Sequence, residues 1–163
     1  NLSGLSSGSE FEMIDGGQFN ADKAYKDSKL CNILFAKELS NRLSKKKIII
    51  PVIAWAPGLV ISRDSQGFFR YSRKYNQWGQ ILFSSLARDL LRITTTNEKA
   101  GKLLSDLACS CKYNKPGFNF YSNKLISPGE FVFEKTNISD EAQIDGLSER
   151  IWDLSESIID KNS

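Results

Sequence analysis

An α/β fold is what the sequence predicts, on three observations. Ile48-Ile49-Ile50-Pro51-Val52-Ile53-Ala54-Trp55 is a near-continuous apolar run, the pattern of a central parallel strand covered on both faces. Helical patterns stand on either side of it, one opening at Asp22 and others after Thr95 and Ser139. Phe118-Asn119-Phe120-Tyr121-Ser122 alternates between turn signals and reads as a further strand.

The elements follow in chain order. Residues 1–20 are rich in Ser and Gly, with Gly4, Gly8, Gly16 and Gly17 breaking any periodicity, so a loop is expected. Asp22 is placed to cap a helix running to about Arg42, with Leu30, Ile33, Leu34, Phe35, Leu39 and Leu43 giving apolar cover on more than one face. A basic turn over residues 40–47 reads as its solvated exit. Pro51 is awkward in the strand that follows, because it gives up a ladder donor, and the first half of that strand is the weaker half. Pro57-Gly58 ends it.

Residues 63–92 mix bases with aromatics, among them Phe68, Phe69, Arg70, Tyr71, Arg73, Lys74, Tyr75, Trp78, Phe83, Arg88 and Arg92. Competing readings are a nucleic-acid surface and a membrane-surface helix. The plainest alternative is a helical pair packed on the domain edge. Thr95-Thr96-Asn97-Glu98 reads as a capping box opening a helix through about Ser110, with Ala100, Leu103, Leu104 and Leu107 facing inward. A turn over residues 113–117 precedes the second strand, and Phe131-Val132-Phe133 forms another short extended piece. Ser139 caps a final helix with Ile144, Leu147, Ile151, Leu154 and Ile158 on one stripe.

The totals narrow the function classes. The 163 residues suffice for one sizeable core, and hydrophobic and charged contents of 40% and 25% are ordinary for a soluble globular protein. A net charge of +3 gives no ground for a nucleic-acid partner. No apolar run reaches membrane-spanning length and no signal-peptide pattern opens the chain, which reads as soluble and intracellular. Histidine is absent, and Cys31, Cys109 and Cys111 form no C-x-x-C pair. That argues against zinc and against hydrolases with an imidazole base, so no metal is expected. An odd cysteine count fits reduced thiols.

Tyr25 and Lys29 carry the candidate chemistry. Four residues apart on a helix, they share a face. A phenol with an ordinary pKa of ~10 donates protons poorly at neutral pH unless a fixed cation stabilises its anion. An ammonium one turn away supplies that charge, and its remaining donors can hold a ribose hydroxyl. The pair can then protonate a carbonyl or carbanion while a hydride arrives from a nicotinamide. A bare pair at this spacing arises readily by chance and is most simply a solvated helix face.

The surrounding motifs are more specific. Met13-Ile14-Asp15-Gly16 precedes the pair, and Ala24-Tyr25-Lys26-Asp27-Ser28-Lys29-Leu30-Cys31-Asn32 contains it. This arrangement, followed by the strand and Pro57-Gly58, resembles the short-chain dehydrogenase/reductases. Within them it is most similar to the light-dependent protochlorophyllide reductases, which carry a Met-Ile-Asp-Gly segment and an Ala-Tyr-Lys-Asp-Ser-Lys-x-Cys-Asn run. Arg150-Ile151-Trp152-Asp153-Leu154-Ser155 resembles their C-terminal helix. The likeness covers essentially the whole chain, which corresponds to the C-terminal half of a complete reductase.

That resemblance implies a Rossmann-like, doubly wound parallel sheet, residues 1–163 forming the C-terminal part of a single domain with its Tyr/Lys pair and substrate lid. It implies NADP(H) as cofactor, Tyr25 as proton donor and Lys29 as holder of the nicotinamide ribose. Pro57 and Gly58 would line the nicotinamide, and Ser62 would contact its carboxamide. Cys31, Leu59, Phe68 and Tyr71 would line the pocket for a small-molecule substrate, a tetrapyrrole in the subfamily. The family's helix at 22–42 often packs on a partner subunit, which implies a homo-oligomer. The compartment implied is cytoplasmic or like a plastid stroma, peripheral to photosynthetic membranes.

The departures are specific too. Glu12 stands where the family places its catalytic serine or threonine, so that hydroxyl is expected upstream of Asn1, and Ser7 and Ser9 read as ordinary loop serines. Ala56 and Leu59 stand where the subfamily typically has a tyrosine and a cysteine facing the substrate. No Gly-x-x-x-Gly-x-Gly turn follows an opening strand, so the dinucleotide cradle is expected in polypeptide preceding Asn1. Two alternatives therefore stand beside the reductase. One is a non-catalytic pigment- or partner-binding descendant, the other a short-chain carbonyl reductase working in the dark.

Overall fold

The structure is a computed structural model that describes residues 21–61 and 77–161. The loop expected at 1–20, Ser62, Phe68, Tyr71 and most of the basic–aromatic stretch lie outside the described residues. The chain divides into two compact units, Asn1–Ala54 with Lys115–Phe120 and Asn137–Ser163, and Trp55–Asn114 with Tyr121–Thr136. The class is mixed α/β, with a three-stranded sheet ordered β1-β2-β3 from β1 (Pro51–Ala56), β2 (Gly117–Ser127) and β3 (Glu130–Lys135).

In the first unit, α1 (Ala21–Lys45) is the long helix expected from its apolar spacing. It opens at Ala21, so Asp22 lies inside the helix rather than at its cap. The basic turn belongs to the helix and its exit. Lys47 takes a left-handed φ of 58°, and the Ile48 and Lys47 amides bond the Leu43 and Ser44 carbonyls. This is a Schellman ending with lysine in the glycine position. Ile48, Ile49 and Ile50 stay exposed, and the strand begins at Pro51, where a missing N–H removes least from the ladder.

The expected final helix is two. Ser139 opens only α4 (Asp140–Gln143), and its side chain makes no capping bond. Gly146 then turns the chain with φ +74° into α5 (Leu147–Lys161). Ile144 consequently leaves the stripe and is exposed, while Leu30 and Leu34 of α1 close a core with Ala142 and Ile151. Cys31, Ile33, Ile138, Leu147 and Leu154 pack around it.

In the second unit, the capping box shifts by one residue. Thr96, not Thr95, caps α3 (Asn97–Cys109), its hydroxyl accepting from the Lys99 amide at 3.2 Å. Thr95 is buried instead, bonding the Leu59 carbonyl through its own N–H at 2.8 Å beside a parallel bridge to Val60. Of the four α3 residues expected inside, Leu107 is buried and Leu104 is exposed. Two further segments precede α3, α2 (Gln77–Ser85) and a π-turn (Leu86–Leu90).

β2 and β3 are longer than their sequence cores and pair antiparallel from Tyr121 opposite Lys135 to Ser127 opposite Glu130, with an irregularity after Leu125. Tyr113, Tyr121, Phe133 and Trp55 form an aromatic cluster, with Tyr121 stacked on Phe133 at 5.7 Å and Tyr113 edge-on to both. The Tyr113 hydroxyl donates to Asp106 at 3.1 Å, which gives this buried phenol its partner.

The burial contrast gives a direct test. Leu34→Ala should lower the free energy of unfolding by about 2–5 kcal/mol, and Leu104→Ala by no more than about 0.5 kcal/mol, in urea titrations followed by circular dichroism. Equal effects would contradict the packing described.

Candidate functional site

The expected site residues that are described fall on two stretches of backbone. Tyr25, Lys29 and Cys31 ride on the first three turns of α1, and Pro57, Gly58 and Leu59 form the exit of β1. Each group belongs to its own unit.

On α1 the four-residue spacing brings Tyr25 and Lys29 together. The Lys29 ammonium stands 5.2 Å from the Tyr25 ring centroid, over its face, and both side chains are exposed. The contact is a cation–π one. An ammonium and a phenol that share one exposed helical face are the groups the nicotinamide end of a dinucleotide would need, a cation for the ribose and a proton donor beside it.

The rest of this helical segment is occupied by its own interactions. Lys23 is paired with Asp27 at 2.6 Å, one turn apart. Partial burial works to raise the Asp27 carboxyl, and the Lys23 ammonium, leading in the other direction, helps hold it below the ordinary range. The Ser28 hydroxyl donates to the Tyr25 carbonyl at 2.7 Å, an internal helix bond. Cys31 is half-buried against the Leu30–Leu34 core. Burial first, and the Asp27 carboxylate one turn earlier second, push its thiol up. A thiol in that setting behaves as a small apolar side chain more than as a nucleophile.

At the β1 exit, Gly58 has a φ of +81°, and a Cβ there would lie 3.0 Å from the Asn123 carbonyl oxygen. The need for glycine is thus met within the protein, by the approach of β2, independently of any flat ring. Buried Asn123 also donates its amide to the Pro57 carbonyl at 3.2 Å. Leu59 is exposed while its carbonyl is held by the Thr95 amide. Asn123 is the residue the sequence reading missed. Its signal was a polar side chain at an inward position of an alternating strand, two residues after buried Tyr121 and opposite Phe133. Among the described residues, no group of three or more His, Cys, Asp or Glu is placed to hold a metal ion.

No family model matches the chain. Over 158 residues, 97% of its length, it is 29% identical to the chloroplastic protochlorophyllide reductase of Cucumis sativus, spanning 37% of that protein. It is 31% identical over 157 residues to the enzyme of Marchantia paleacea, covering 96% of this chain and 31% of the relative. Protochlorophyllide reductase A of Arabidopsis thaliana is 29% identical over 158 residues, 97% of this chain and 35% of that one. The chain thus spans about a third of the length of the curated relatives it matches. The similarity to protochlorophyllide reductases that the motifs carry therefore extends along nearly the whole chain.

Two measurements check this geometry. Gly58→Ala should destabilise the fold by about 1–3 kcal/mol, since it adds a methyl at the Asn123 carbonyl to a left-handed backbone. In timed alkylation with iodoacetamide read by mass spectrometry, exposed Cys109 and Cys111 should be labelled well before Cys31, whose lag should shrink as the pH is raised. Simultaneous labelling of all three would contradict the half-buried, raised thiol.

Proposed function

We propose that this chain carries the proton-donating part of an NADP(H)-dependent reductase of the short-chain type, working on a protochlorophyllide-like tetrapyrrole. The observation that supports it is the exposed Tyr25–Lys29 pair on one face of α1, set in a chain whose relatives over nearly its full length are protochlorophyllide reductases.

In this reading the nicotinamide supplies the hydride when bound, and the chain's residues do the rest. Lys29 leaves the ring face to hold the nicotinamide ribose and sets its charge beside the phenol. Tyr25 gives its hydroxyl proton to the carbon next to the one that receives the hydride, and takes a proton back from solvent. By the resemblance, Pro57 and Gly58 would line the nicotinamide and Ser62 would orient its carboxamide. The resemblance would also assign Cys31, Leu59, Phe68 and Tyr71 to the substrate pocket. In place of a phenol and a thiol, Ala56 and Leu59 make that pocket greasier than the subfamily pattern.

The experiment is turnover of the full-length protein with NADPH and protochlorophyllide, in light and in darkness. Tyr25→Phe should lower kcat by about 10²–10⁴-fold with substrate binding retained. Lys29→Met should weaken NADPH binding as well as turnover. Full turnover in Tyr25→Phe would remove the proposed role. The replaced pocket residues favour a second reading, a pigment-binding descendant without chemistry, for which the same protein would bind the pigment and show no affinity for NADPH.

A further inference from the structure

Two buried amides on β2 are spent in different ways. Asn119 and Asn123 occupy alternate positions of the strand and are 1% and 9% exposed. Asn119 donates to the carbonyls of Lys115 and Gly117, at 2.7 and 2.9 Å, and so staples the turn that leads into its own strand. Asn123 donates instead to the Pro57 carbonyl at 3.2 Å, 66 residues away in the chain. The first bond is local. The second ties the exit of β1 to a different element.

Satisfying the Pro57 carbonyl does not require that donor. Pro57 is half-buried, and Gly58 and Leu59 after it are exposed, so water can fill the same bond. What water does not supply is direction. A buried side chain is held in one staggered rotamer by its packing, whereas water at an exposed turn has no fixed orientation. The amide therefore sets the plane of the Pro57–Gly58 peptide. That peptide is planar and trans, so holding its carbonyl against β2 turns the Gly58 N–H away from β2. The main-chain carbonyl of Asn123 lies 3.0 Å from where a Gly58 Cβ would stand, and the Thr95 amide holds the Leu59 carbonyl at 2.8 Å. One residue thus bounds the turn with its side chain and its backbone together. In the reductase reading, this turn would line the nicotinamide.

We propose that Asn123 is a positioning residue for the dinucleotide, setting NADPH affinity through the Pro57–Gly58 peptide. The assignment rests on the reductase reading. In the full-length protein, NADPH binding is measured without pigment, by the change in nicotinamide fluorescence, and the KM of each reactant is measured in turnover. Asn123→Leu keeps the volume and loses the donor. It should raise the Kd and KM for NADPH by about three- to tenfold, the weight of one hydrogen bond, and leave the pigment KM unchanged. Leu107→Ala controls for stability alone, since Leu107 is buried about three turns along α3 from Thr95. That variant should lower the Tm at least as far and leave NADPH affinity as it was. Should Asn123→Leu fail to fold, Asn123→Asp, of the same shape without the amide donor, is read in the same way. NADPH binding at the wild-type level in these Asn123 variants would overturn the assignment and leave the reductase reading standing. So would a loss of affinity matched by Leu107→Ala. A wild-type protein without affinity for NADPH would overturn both.

Discussion

The first unit depends on one buried carboxylate. Glu38, 2% exposed on α1, accepts from Arg42 at 3.0 Å, from the Asn41 amide at 3.3 Å and from the Ser148 hydroxyl of α5 at 3.3 Å. Arg42 reaches on to Asp153 at 2.7 Å and lies 4.9 Å from the ring of Trp152, which also stacks near-parallel on Phe35 at 4.7 Å. A buried charge is tolerated only when its lone pairs are filled, so removing a partner would leave the Glu38 carboxylate uncompensated. The network thereby fixes the rotation of α1 against α5. That rotation decides which face of α1 meets the core, through Leu30 and Leu34, and which face presents Tyr25 and Lys29 to the outside.

The exit of β1 is governed by a comparable constraint made of neutral groups. Asn123 fills an inward position of β2 with an amide, where an apolar residue would be ordinary, and spends that amide on the Pro57 carbonyl. Its own carbonyl crowds Gly58 at the distance where a Cβ would stand. The Leu59 carbonyl is taken by Thr95. Three successive backbone positions after the strand are thus fixed by β2 and by the segment before α3. A loop held this firmly is a rigid wall, suited to orienting a ligand and poorly suited to moving over one.

Where the sequence was legible, a single local force decided the outcome. The 25 residues of α1 carry enough apolar spacing that no tertiary contact had to overrule it, and the strand at Pro51 starts where proline chemistry says it can. The misreadings share a different cause. Thr95 and Thr96 are equally good caps locally, and the choice between them was made by the Leu59 carbonyl, distant in sequence. Ile144 fits the stripe of α5 by spacing, but Gly146 breaks the helix between them. Leu104 fits the inward face of α3 by period, yet is half exposed. Of the site, the Tyr25–Lys29 contact followed from spacing alone, whereas Asn123 depended on pairing between strands that no window of sequence contains.

The same limit bears on what spacing can do for chemistry. Two charges in contact interact by about 1 kcal/mol in bulk water and by about 4 kcal/mol where the effective permittivity is about 20. Each 1.36 kcal/mol of difference between protonation states is one pKa unit, so the gain that makes a phenol a useful acid comes chiefly from excluding water. On α1 both partners are exposed, and the ammonium rests on the ring face instead of at the oxygen. A helix can therefore deliver the two groups to one place, but what they do there depends on what covers them. In the proposed reductase that cover would be the bound cofactor and substrate, which would tie proton donation to the presence of both reactants.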